Sequence, residues 1–377
     1  MVARKNKRRS SDAVQFELHW EANCVNLYND IINHNLYPTA YAFIVEQPKY
    51  RGIFASDFST RILHHYIDIR LRPLIEKRLT THTYNNRKGY GQVACQNAVI
   101  TDIYDVSKGF TKDAWIIKLD IKGCFPNIIQ DIAYKQLEDV ILNDYDGYDK
   151  DELLYILNIC IYSYPTLHCD KRSSREKWQY ISIDKSLFCK PLGVGAAIGH
   201  LIWQNAVNYY FNKIDKWMLS LGISYERFVD DMYIITDNKE MVNTYIIPEL
   251  RLRLYELGAK LNESKHYCQH YTKGCECLGT HIKMDRVYVN NRIVKRATLK
   301  AKSFNRVVES KINKMLTTIN SYLGTCKNVN GYGKACEIVN SLDKRWFDYV
   351  YFDRETITLR AKDGYKFNQL LTKRYKL

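Results

Sequence analysis

Residues 224–236 read SYERFVDDMYIIT. Aromatic and β-branched residues flank a short polar centre, the pattern of two strands joined by a tight turn. At that turn stand two adjacent aspartates, Asp230 and Asp231. Like charges so placed repel, and taking them out of water is costly unless a positive charge compensates. A solvated turn meets that need with water, since Asp is a common turn residue. A divalent-metal site meets it with charge, and predicts a further carboxylate from elsewhere in the chain. Asp120 fits that description: it closes AWIIKLD (114–120), which reads as a buried strand running into a turn.

Two strands that carry carboxylates at their ends, roughly a hundred residues apart, suit a shared metal site. Mg²⁺ takes oxygen ligands and is usually held by one or two carboxylates plus substrate phosphates, with Mn²⁺ able to replace it. Two such ions clamp the attacking and leaving oxygens of an in-line phosphoryl displacement. The bulk composition agrees with a phosphate-rich partner. The chain has 377 residues and a formal net charge of +15, from 56 Lys and Arg against 41 Asp and Glu. Such an excess favours a polyanion, because neutralising phosphates releases condensed counterions.

A hydrophobic content of 46% describes a folded protein, and 30 tyrosines supply much of its aromatic share. No run approaches the ~20 apolar residues that span a bilayer, so no membrane partner is expected. The basic start, MVARKNKRRSSDA, has no apolar stretch behind it and reads as a flexible arm over 1–14 rather than a secretory leader. The 11 cysteines are scattered and odd in number, which reads as reduced thiols in a cytoplasmic protein. The cluster His266, Cys268, His270, Cys275, Cys277 and His281 matches no familiar zinc spacing, and buried thiols along two strands is the preferred reading.

Along the chain, residues 14–36 have helical periodicity, and 41–56 read as two short strands with a turn at Pro48. The segment 57–79 repeats apolar residues at helical spacing behind an Asp57 start signal. NNRKGYG (85–91) is a basic glycine-bearing loop, followed by a helix-like stretch. Residues 129–163 look helical and 164–193 irregular and polar. The stretch 196–222 reads as one long helix, 240–257 as another, and 275–291 as a β-hairpin. From about 297 the chain is basic and helical. Strand with Asp, long helix, Asp-Asp hairpin, helix and basic hairpin is the order of a polymerase palm.

With that order in place, the chain resembles a reverse transcriptase, and more narrowly those of diversity-generating retroelements and their bacterial, antiviral-defence relatives. LDIKGCFPNI (119–128) is similar to the family's first palm motif, FVDD (228–231) to its Tyr/Phe-x-Asp-Asp box, and LGAKLNESKHY (257–267) to the motif that follows. CLGTHI (277–282) resembles the primer-grip hairpin, and KSLF (185–188) and SYLG (321–324) resemble the retroelement group. The similarity runs in order over residues 17–325. It implies that Asp120, Asp230 and Asp231, with the backbone carbonyl of Ile121, hold the metals. Lys265 would protonate pyrophosphate, and Phe125 would bar a ribose 2′-OH. Lys49, Arg51 and Arg87 would meet the triphosphate and Lys88 the template, while Leu278 and Gly279 would grip the primer.

One motif departs from the family. GAAIGHLIWQ (195–204) should line the nascent base pair; Gly199 and Gln204 match the pattern, but His200, Ile202 and Trp203 replace small polar residues. A bulky Trp203 there implies altered templating or a specialised defence branch.

The reading is therefore an α/β right-hand polymerase: fingers and palm over 15–295, and a basic, mostly helical thumb over 296–377. It would be an RNA-dependent DNA polymerase using dNTPs, an RNA template and Mg²⁺, with a noncoding RNA or an accessory protein as further partners. The rivals are a defence enzyme making weakly templated DNA, a nucleic-acid-binding scaffold with a dead palm, and a palm-fold nucleotide cyclase. The cyclase predicts a glycine-rich acidic hairpin in place of FVDD.

Overall fold

A computed structural model describes residues 2–5, 10–46, 49–329 and 331–362. The turn read at Pro48, part of the 1–14 arm and the end of the C-terminal region (363–377) lie outside the described residues. Chain contacts divide the protein into two compact units, one comprising residues up to Cys95 with Ile117–Cys268, the other Gln96–Ile116 with residues from Gln269 on.

The first unit is built from two small sheets and the helices against them. β1 (Ala40–Val45) and β2 (Arg51–Ser56) form an antiparallel hairpin, Ala42 opposite Phe54. β3 is Trp115–Asp120, and β4 (Asp170–Lys171) joins the free edge of β1 in parallel. The hairpin of the opening stretch is β5 (Ser224–Phe228) and β6 (Asp231–Thr236), and with β7 (Tyr267–His270) it makes a sheet of order β5-β6-β3-β7. β6 is buried from Met232 to Thr236, and β3 at Ile117, Leu119 and Asp120. These are the near-continuous apolar runs expected of strands covered on both faces.

The helix Phe58–Arg78 starts where its cap predicts: the Asp57 side chain accepts from the Thr60 amide at 2.8 Å. Its buried residues Leu63, Ile67, Leu71 and Ile75 recur every fourth position, one face of a helix, and it packs on the helix Leu201–Tyr210. The long helix read over 196–222 is two, Leu201–Tyr210 and Asn212–Ser220, broken at Phe211. Likewise 14–36 resolves into Ser11–Leu18 and Trp20–Ile32, and 129–163 into Gln130–Asp144 and Lys150–Ile161. Each break leaves the apolar periodicity intact on both sides, so periodicity alone did not reveal it.

The second unit carries the short strands β8 (Cys275–Cys277), β9 (Thr280–Ile282) and β10 (Val287–Val289), so the stretch read as a hairpin is a three-stranded meander. Cys275 and Cys277 are buried thiols. Beyond it come the helices Asn291–Phe304, Ile312–Lys327 and Tyr332–Val339, and a final hairpin, β11 (Val350–Asp353) with β12 (Thr358–Ala361). Its core is formed by Val294, Ala297, Met315, Ile319, Leu323 and Trp346 among others. No described helix is long and apolar enough to cross a membrane.

Candidate active site

The β5–β6 register puts Phe228 opposite Asp231, leaving Val229 and Asp230 as a two-residue turn. Val229 adopts φ 56°, a left-handed conformation that β-branched residues rarely take. Two contacts hold it. The Arg227 guanidinium donates from Nη1 to the Val229 carbonyl at 3.1 Å, and the Ile121 amide donates to the Asp230 carbonyl at 2.9 Å. The second bond ties the turn to the end of β3, so Asp120, Asp230 and Asp231 belong to one local structure.

The charges are distributed unevenly across it. Asp120 is 3% exposed; one carboxylate oxygen accepts from Asn262 Nδ2 at 2.9 Å and the other from the Lys265 ammonium. Lys118 Nζ lies 3.3 Å from Asp231 Oδ1. Burial, then the charges of Asp231 and Asp120, push the Asp230 carboxyl up to about 6. Burial alone would lower Lys265, but the hydrogen bond to Asp120 and the surrounding carboxylates raise it. Burial and the Asp230 charge also raise the Cys124 thiol. The cluster is short of positive charge, and two lysines meet part of the deficit.

These oxygens fit a hard divalent cation. The donor set is oxygen only, and the mutual repulsion of these carboxylates is what a cation would relieve. Among the described residues, no three His, Cys, Asp or Glu are gathered as a ready ligand set.

Phe125 opens the short turn Phe125–Asn127, and its carbonyl accepts from the Ala196 amide at 2.8 Å. Gly195 donates to the Ile128 carbonyl at 2.7 Å, and Gln130 Nε2 to the Gly195 carbonyl at 3.0 Å, so the 195–204 segment is laced to the Asp120 turn. Its other side meets β2, where the Phe54 amide donates to the Ile198 carbonyl at 2.8 Å. Gly199 has φ +115°, and a Cβ there would fall 2.3 Å from the Phe54 carbonyl, so only glycine permits this approach. Gln204 is half-buried on the helix that follows. Trp203 is 2% exposed, and His200 and Ile202 are also buried. The bulk read as intruding on a base-pair pocket is taken up by the core.

The predicted nucleotide contacts separate into two kinds. Lys49, Arg51 and Lys88 are exposed. Arg87 is not: its side chain is 5% exposed, pairs with Glu76 at 2.7 Å, and donates to the carbonyls of Thr80 and Thr83. It closes the 80–88 loop on itself. Leu278 and Gly279 lie in the second unit as the turn between β8 and β9, both at positive φ, as a type I′ hairpin turn requires. Gln96 Nε2 donates to the Cys277 carbonyl and to Thr280 Oγ1, fixing that turn.

The sequence reading missed the pair behind the hairpin. Arg227 and Asp215 are 0% exposed, joined by Nε to Oδ1 at 2.7 Å and Nη2 to Oδ2 at 2.5 Å. Thr83 and Tyr225 hydroxyls donate to the same carboxylate at 2.9 Å each. Backbone bonds from Arg227 to His82 and from Tyr84 to Arg227 strap the 80–88 loop along β5. The available signal was an arginine inside an otherwise buried strand, which must find an acid.

The sequence family described as reverse transcriptase (RNA-dependent DNA polymerase) matches residues 45–282, well over half of the chain. The chain belongs to the reverse transcriptase family. Its fold is accordingly the mixed α/β right-hand polymerase. Solved structures similar to this reverse transcriptase include apo telomerase from Candida tropicalis truncated from its C-terminal domain, at 12% identity and TM-score 0.47, covering 67% of this chain and 55% of that one. Telomerase from Candida albicans with a TWJ fragment of telomeric RNA is similar at 13% identity and TM-score 0.45, covering 82% and 58%. Apo telomerase from Candida tropicalis matches at 11% and 0.48, covering 80% and 52%. The chain thus spans a little over half of these telomerase structures, and the family assignment rests on the sequence match. No curated protein matches the sequence.

Proposed function

We propose that this chain extends a primer 3′-OH with dNTPs on an RNA template, with Asp120, Asp230 and Asp231 as the centre of its chemistry. The observation that carries the reading is geometric: the Ile121 amide donates to the Asp230 carbonyl at 2.9 Å, which holds the Asp230–Asp231 turn against the end of the strand that Asp120 closes.

Asp120, Asp230 and Asp231, with the Ile121 carbonyl, would hold Mg²⁺ or Mn²⁺. Bound there, such ions would neutralise charge on the attacking and leaving oxygens of an in-line phosphoryl transfer. The rest is positioning and charge. Lys49 and Arg51 contact the triphosphate, Phe125 bars the ribose 2′-OH, and Lys265 Nζ holds a proton for the departing pyrophosphate. Lys88 meets the template, and the Leu278–Gly279 turn the primer. Arg87 acts through the loop it closes. We assign residues 15–295 to fingers and palm and the helical region from 296 to the thumb.

The lineage we favour is that of diversity-generating retroelements, with a noncoding RNA or accessory protein as a further partner. The altered Gly195–Gln204 segment, with its bulky Trp203, is what would favour the defence branch instead. Purified wild type and an Asp230→Asn/Asp231→Asn variant, given Mg²⁺ or Mn²⁺, labelled dNTPs and copurified RNA, test the proposal. Metal-dependent DNA that copies an RNA in the wild type alone supports it. Repetitive or untemplated product moves the lineage to defence, and no incorporation by either protein leaves the scaffold reading ahead.

A further inference from the structure

The irregular polar stretch 164–193 has a defined place in the first unit. β4 runs parallel to β1, with Tyr41 opposite Asp170. The Arg172 amide donates to the Ala42 carbonyl at 2.8 Å, and the Ile44 amide to Ser173 Oγ at 2.9 Å. Trp178 and Phe188 anchor the segment on β2. Phe188 meets Phe54 at 5.5 Å between ring centroids and Trp178 at 5.1 Å, and a Cβ on Gly52 would lie 3.1 Å from the Trp178 ring.

Those contacts account for the packing, and Tyr180 is not among them. It is 65% exposed and lies ring-to-ring with Tyr50, itself 37% exposed, at 4.9 Å and 27° between planes. Tyr50 directly precedes the exposed Arg51 of β2. Lys49 and Arg51, both exposed, flank Tyr50 in the sequence, and Lys177 of the segment 164–193 interacts electrostatically with Tyr50 while pairing with Glu46 at 2.7 Å. Cations beside flat, water-exposed aromatic faces match one ligand chemistry closely. Phosphates take the charge and unpaired bases take the rings, whereas a duplex hides its base faces.

We propose that Tyr50 and Tyr180, with Lys49, Arg51 and Lys177, form a stacking surface for a single-stranded polynucleotide, the unpaired RNA template. The proposal rests on the polymerase reading only for the identity of that strand; binding needs neither metal nor dNTP. The test is fluorescence anisotropy with the full chain, using a short unstructured RNA, the matching DNA, and a duplex of equal length. Tyr180→Ala weakens single-stranded RNA roughly tenfold, the scale of one lost base stack, and Tyr180→Trp restores it. Tyr180→Ala leaves the salt dependence of binding unchanged, because it removes a ring and no charge. Unaltered RNA binding in Tyr180→Ala, or an equal loss for duplex, overturns the stacking surface. Tighter binding of DNA than RNA overturns its assignment to the template. If the wild type makes no DNA yet Tyr180→Ala loses RNA, the polymerase reading fails and the surface stands. Synthesis with unaltered binding fails the surface alone.

Discussion

Replacing Asp215 by leucine should be among the most damaging single changes in the first unit. Arg227 and Asp215 are completely buried, and burial opposes the guanidinium's charge while Asp215 restores it. Removing the acid leaves a buried cation that still donates to the carbonyls of Asn208 and Val229 but has no counter-charge from Asp215. Breaking one side of such a pair costs about 3–5 kcal/mol. The hydroxyls of Thr83 and Tyr225 lose their acceptor as well, at about 1 kcal/mol each. The sum is a large part of the roughly 5–15 kcal/mol by which a domain is stable. Because the chain has two compact units, the loss is best read by hydrogen exchange on peptides from β5 and β6 across a urea series. The loss should concentrate there and in residues 80–88. Asp215→Leu combined with Arg227→Met should recover at least half of it, since replacing both charges removes the orphan. A cost below about 1 kcal/mol for Asp215→Leu, or a double variant as unstable as the two singles summed, would refute the coupling.

Asp230→Asn should abolish synthesis yet raise the urea midpoint of metal-free protein. A carboxyl raised from 3.8 to about 6 contributes stability below pH 4 that is lost as pH rises through 6, so the variant should gain about 2–3 kcal/mol at pH 7.5 and little at pH 4. His200 titrates in the opposite sense. Burial holds it at about 4 against 6.5, so it stays neutral in the fold while the unfolded chain takes a proton. Its stability contribution, about 3 kcal/mol, is present above pH 6.5 and lost as pH falls toward 4; a His200→Phe variant should show a flatter stability profile over that window. Gly199→Ala should cost at least about 1–3 kcal/mol, measured by thermal unfolding, because it meets both the strained φ and the Phe54 carbonyl. Arg87→Lys should lower the thermal midpoint while leaving the KM for dNTPs within about twofold, since a lysine cannot reproduce the two carbonyl bonds and the Glu76 contact together.

What could be read from the sequence was local or periodic. The Asp-Asp hairpin showed itself because two apolar runs bracket it, and the helix after Asp57 because its cap and every-fourth apolar residue coincide. The parts that stayed hidden depend on partners far along the chain. Arg87 lies in a basic loop and looked like a ligand contact, but Glu76 and two carbonyls claim it. Trp203 stands where a small polar residue was expected, yet its side chain is buried. Arg227 and Asp215 are twelve residues apart on a strand and a helix, with nothing local to mark them as a pair. The grouping of residues 96–116 with those from 269 on is likewise a matter of tertiary contact.

The parallel addition of β4 to β1 has a practical side. Trimming residues 170–190 would look harmless on a sequence plot, since the segment is polar and sparsely structured. It would instead uncover the β1 edge at Ala42 and Ile44, whose backbone groups are now satisfied by Arg172 and Ser173. A bare apolar strand edge is a template for another chain. The shortened protein should therefore precipitate on expression, a matter of solubility rather than of catalysis.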